Sequence, residues 1–89
     1  MNLHKAPCLS LALSASADYL SVVMSFVETS ASVFGLERAE QGKLLLATEE
    51  IFMVLCNVLC TGKDLDIRLV NGLYYVRAEF HFRSEERRV

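Results

Sequence analysis

Between Leu44 and Cys60 the chain reads LLLATEEIFMVLCNVLC, a helix-length apolar run whose only charges are the adjacent carboxylates of Glu49 and Glu50. Steps of three and four residues join Leu44, Thr48, Ile51, Leu55 and Val58 into one face. Leu45, Phe52, Cys56 and Leu59 widen that face well beyond a coiled-coil seam. A helix this apolar is expected to be the central buried element of its domain. Two acids in the middle of it either lie on its one wet edge or face a cleft.

The rest of the chain must supply what that helix packs against. With 89 residues there is room for one domain, burying roughly 60–65% of its unfolded surface. The apolar fraction of 53% is high for so short a chain. It points to a homo-oligomer, or to a piece of something larger. A net charge of -2 and a pI near 5.6 give no basic footprint for nucleic acid. The one basic cluster, Arg83, Arg87 and Arg88, is diluted by Glu85 and Glu86 and reads as a solvated tail. No uncharged apolar run reaches the roughly 18 residues a membrane span needs. An odd number of cysteines, three, suits a reducing compartment, so the cytoplasm is the expected location.

Residues 8–13 alternate small or polar side chains with Leu9, Leu11 and Leu13, the period of a half-buried strand. Ser14, Ser16 or Asp18 can then cap a helix over residues 18–34, striped by Leu20, Val23, Val27 and Phe34. Gly35 suits the left-handed residue that closes such a helix. A second helix is expected over 37–60, with Glu37 and Glu40 at its positive end and Thr61-Gly62 as its stop. Beyond it the period switches to two, giving a hairpin of strands 64–70 and 73–83 around Asn71-Gly72. That dipeptide predicts a two-residue turn with both φ values positive. The register then sets Leu69 against Tyr74, Ile67 against Val76, Leu65 against Ala78, Arg68 against Tyr75 and Asp66 against Arg77. The order β-α-α-β-β defines an α+β fold, a two-layer sandwich of two helices on a small, mostly antiparallel sheet.

Glu49 and Glu50 are the side chains with catalytic potential, because a carboxylate beside a cleft can act as a general base on water. The ordinary reading is a solvated helix edge. Asn57 could contact a metal or phosphate, although asparagines on such helices more often satisfy a backbone group. Cys56 and Cys60 stand at i and i+4 and could touch one metal; two core thiols are the simpler reading. Cys8 reads the same way. His4 falls in a frayed start and His81 on the polar side of the last strand. No glycine follows Gly72, so no phosphate-cradling loop exists there or beyond.

The opening strand with SASADYLSVVMSFVETSASVFGL, the run KLLLATEEIFMVLCNVL and the hairpin DIRLVNGLYYVRAEFHF together resemble the ATP-binding domain shared by histidine kinases, DNA gyrase and anti-sigma-factor serine kinases. The anti-sigma branch is the most similar. In that family the second segment carries a Glu-x-x-x-Asn box, whose glutamate positions the attacking water or hydroxyl and whose asparagine holds magnesium against the phosphates. Glu50 falls on the glutamate position, but Val54 stands where the asparagine belongs, and Asn57 matches only a weaker second asparagine. Valine offers magnesium no lone pair. The family's Asp-x-Gly-x-Gly box has no counterpart in HFRSEERRV.

The resemblance implies a degenerate or truncated ATPase-like domain, the N-terminal part of the fold named for Bergerat. Its expected role is that of a regulatory protein-interaction module without catalysis. A sigma-factor-type regulator is the implied partner, and a homodimer through the first strand and helix the implied assembly. No cofactor is expected for this chain. ATP and magnesium would return only in the alternative, the N-terminal part of a working anti-sigma-type serine/threonine kinase. A small metal or redox protein built on Cys56 and Cys60 is a third class.

Overall fold

The computed structural model describes residues 7–59, 63–72 and 74–82. His4, Cys60, Thr61, Gly62, Leu73 and the Arg83, Arg87, Arg88 cluster with Glu85 and Glu86 lie outside the described residues. Strand β1 (Cys8–Ser14) is followed by a 3-10 turn (Ala17–Tyr19), helix α1 (Leu20–Val33), helix α2 (Arg38–Val58) and strands β2 (Asp64–Asn71) and β3 (Val76–Phe82). The architecture is α+β: two helices and a three-stranded antiparallel sheet in the order β1-β2-β3.

Local chemistry accounts for the element ends. The Ser16 hydroxyl accepts the Asp18 amide at 3.2 Å, which satisfies one of the free donors where the 3-10 turn leads into α1. Gly35 takes φ 82°, reversing the chain after α1, and the Leu36 amide donates back to the Ala31 carbonyl at 3.0 Å. Gln41 Nε2 donates to the Leu36 carbonyl at 2.8 Å, fixing the joint between the helices. The β1–β2 ladder is clamped at both ends: Ala15 donates to the Lys63 carbonyl at 2.8 Å, and Asn71 to the Pro7 carbonyl at 2.9 Å.

The core joins Val23, Val27 and Ala31 of α1, Phe52 of α2, and Leu65, Ile67 and Leu69 of β2. Leu9, Leu11 and Leu13 oppose the three β2 residues from one side, and Ala78, Phe80 and Phe82 from the other. One face of the sheet is therefore apolar and carries the helices. The other face carries Ser10, Asp66, Arg68, Arg77, Glu79 and His81.

Two expectations are corrected. Helix α2 is not the central buried element: only Thr48 and Phe52 are buried along its 21 residues. Its inward face centres on Phe52, with Leu45, Leu55, Cys56 and Leu59 half-buried around it, while Ile51 and Val58 are exposed. A helix laid on a small sheet beside one neighbour has contacts on part of its circumference only, so apolar side chains spread all round it cannot all be covered.

The hairpin register also differs. Leu65 faces Phe82 rather than Ala78, a slip of four residues, so that Asp66 opposes His81 and Arg68 opposes Glu79. The connection spans residues 72–75, and no non-glycine residue among those described has a positive φ. Asn71 thus ends the strand instead of forming a type I′ turn. Gly72 serves by its lack of a side chain: a Cβ there would stand 3.0 Å from the Tyr75 carbonyl oxygen.

Candidate functional site

Helix α2 turns Glu50 outward, one turn before Val54 on the same side. Both line a shallow depression of about 500 Å³ with Leu46, Glu49 and Met53. Asn57 is exposed further along the helix and does not line it. The structure thus sets Glu50 and Val54 in one depression and leaves Asn57 apart. Neither Glu49 nor Glu50 makes an ion pair or side-chain hydrogen bond among the described residues. General-base catalysis needs a carboxylate held at a defined point relative to its substrate. Here the two acids stand exposed on an apolar helix surface, with no partner side chain among the described residues.

The apolar surface around them is extensive. Leu46 is 59% exposed, Ile51 44%, Val54 57% and Val58 71%. Near the start of α2 a second depression, of about 430 Å³, is lined by Leu36, Glu40, Lys43 and Leu44 together with Tyr74, Tyr75 and Val76. Tyr74 is 89% exposed. Lys43 reaches Glu40 at 3.6 Å.

The open face of the sheet holds a set of contacts that the sequence reading did not find. Arg77 Nε donates to Glu79 Oε2 at 2.7 Å, and His81 Nε2 lies 2.9 Å from Glu79 Oε1. The neighbouring hydrogen bonds to His81 and Arg77 hold the Glu79 carboxyl below the usual carboxylate range. Arg68 donates to Asp66 Oδ2 at 3.1 Å, while Asp66 Oδ1 is buried without a partner among the described residues. The signal was available: Arg77, Glu79 and His81 stand at i, i+2 and i+4, which a strand places on one side. Beside them a depression of about 210 Å³ is lined by Ala12–Ser14 and Asp64–Asp66.

Cys8 is an exposed free thiol, and Cys56 is half-buried, where burial pushes its thiol up. Among the described residues, no group of three or more His, Cys, Asp or Glu side chains is placed to hold a metal ion, and no helix is long and apolar enough to cross a membrane. The chain matches no protein-family model, no curated protein and no solved structure.

Proposed function

We propose that this domain is a protein-interaction module of regulatory type, built on a degenerate ATPase-like scaffold and without catalysis of its own. The observation that carries the reading is the apolar surface of α2, where Leu46, Ile51, Val54 and Val58 are each between 44% and 71% exposed. Small domains seldom leave so much branched aliphatic surface in water unless a partner covers it. An α2 this exposed suits a docking helix better than a nucleotide-gripping one. The β-α-α-β-β order and Glu50 support the scaffold reading. Val54, beside Glu50 in the same depression, supports the loss of magnesium-dependent nucleotide binding.

A homodimer through the β1 edge belongs to the same reading. β1 is a terminal strand of the sheet, so one row of its backbone groups is open to pairing. A reducing cytoplasm is the setting that suits the free thiols of Cys8 and Cys56. Calorimetric titration with ATP and magnesium tests the reading, the expected result being no heat of binding. Saturable micromolar binding, lost on Glu50→Gln, would overturn it in favour of the kinase alternative.

A further inference from the structure

We propose that the exposed side of α2 is the docking seam for a basic amphipathic helix of a partner protein. This deepens the interaction-module reading by naming the surface and the chemistry of its occupant. Leu44, Ala47, Ile51, Val54 and Val58 follow one another at steps of three, four, three and four. That is the a/d spacing which receives the knobs of another helix. The spacing runs for two heptads along one side of α2, about 21 Å at the helical rise. Of these five, Leu44 alone is half-buried; the other four are exposed. At its N-terminal end the seam opens into the depression shared by Leu44, Tyr74 and Tyr75. Exposed tyrosines there offer the amphipathic anchors that binding surfaces favour.

Charge selects the occupant. Along the same heptad frame Glu50 holds a g position, which faces the flank of a docked helix, and Glu40 continues the seam by one step. Lys43, also a g position, is turned to Glu40 at 3.6 Å, and Glu50 has no ion-pair partner among the described residues. From Glu40 to Val58 the helix carries three glutamates and one lysine. A partner helix with lysine or arginine beside its apolar stripe meets opposite charge along this seam. A second copy of α2 packed antiparallel and centred on this region brings Glu50 toward Glu50 of the other copy, which disfavours self-pairing.

The test uses two designed helical peptides of about three heptads, with identical leucine and isoleucine at a and d, and lysine or glutamate at e and g. Binding to the full chain is followed by fluorescence anisotropy. The lysine peptide is expected to bind about tenfold more tightly than the glutamate peptide, the upper scale of the two exposed ion pairs that Glu40 and Glu50 can make. Exchanging Glu40 and Glu50 together for lysine should reverse that ranking. Val54→Asp should abolish binding of both peptides, with circular dichroism confirming the fold. Equal affinity for the two peptides, or binding by neither, overturns the proposal. So does light scattering that shows a dimer which Val54→Asp dissociates, because the seam is then occupied by a second copy. In that last case the interaction-module reading stands while this inference falls; ATP binding would remove the module reading whatever the peptides do.

Discussion

The two faces of the sheet are built from alternate residues of the same strands, yet they do different work. On the covered face Leu65, Ile67 and Leu69 are 0–1% exposed and meet Val23, Val27 and Phe52 from the helices. On the open face Asp66 and Arg68 pair along β2, and Arg77, Glu79 and His81 pair along β3, all partly in water. Apolar burial scales with area and needs no particular partner. Exposed ion pairs each contribute little and depend on which groups are charged. The covered face therefore holds the fold together, and the open face makes it sensitive to its solution.

The largest expected effect is on the covered side. Phe52→Ala removes the one large α2 hydrophobic side chain that is fully buried, and should destabilise the domain by about 3–5 kcal/mol; Ile67→Ala should cost about 2–5 kcal/mol. Either is a large part of the total stability of a small domain. Urea unfolding read by circular dichroism measures both. If Phe52→Ala cost no more than Val58→Ser on the exposed side of the same helix, the contrast between covered and open surfaces would be wrong.

The connection between the β2 and β3 strands gives a smaller effect. In Gly72→Ala the new methyl stands 3.0 Å from the Tyr75 carbonyl oxygen and 3.1 Å from its ring Cε1. The ring can swing, but the carbonyl belongs to the bond that Gly72 N donates to at 2.7 Å. A loss of about 1–2 kcal/mol is expected from this crowding. Gly72→Asn, tolerated in a type I′ turn, should be no better than Gly72→Ala, because no described residue of this connection has that turn's positive φ.

How the faces and the register were read from sequence differs for a physical reason. Alternation of Leu65, Ile67 and Leu69 with Asp66 and Arg68 fixes which side chains share a face, and an error of four residues leaves that assignment intact because the strand period is two. The same evenness hides the error: Ala78, Phe80 and Phe82 are on the helix side in either register. Turn length decides between them, and Asn71-Gly72 pointed to a tighter turn than the one formed. Gly35 marked the end of α1 plainly, while Ser16, one of three candidate caps, caps the 3-10 turn ahead of α1 rather than α1 itself. What α2 leaves exposed was not legible, since an apolar stripe does not reveal how many neighbours exist to cover it. Of the candidate site, the nearness of Glu50 and Val54 followed from helical spacing. The Arg77–Glu79–His81 contacts were missed because cross-strand pairs were sought where the pairing runs along one strand.

One buried group breaks the pattern of the covered face and sharpens it. Thr48 is 1% exposed on the inward side of α2, and its Oγ1 has no hydrogen-bond partner among the described residues. Valine has the same shape and no hydroxyl to desolvate, so Thr48→Val should stabilise the domain by about 1 kcal/mol. Thr48→Ser keeps the hydroxyl and loses the methyl, and should be destabilising. A thermal melt of the pair separates the two terms; a less stable Thr48→Val would mean that the hydroxyl is satisfied in solution.

The smallest effect belongs to the open face and turns on sign. Glu79 is held below the ordinary carboxylate range by the hydrogen bond to His81, then by that to Arg77. A carboxyl whose value falls on folding stabilises the native state once pH exceeds the unfolded value, about 4.3 for glutamate. That contribution is lost as pH drops through the lower folded value. Stability of the native chain should therefore decline on acidification below about pH 4.3 more steeply than that of Glu79→Gln. The carboxyl resonance of Glu79, followed by NMR, should titrate below the ordinary glutamate value of about 4.3. His81→Gln should raise its midpoint more than Arg77→Gln does, since the histidine contact is the stronger influence. If neither change moved the midpoint, the strand-side chain of contacts would not persist in water, and the open face would contribute charge without structure.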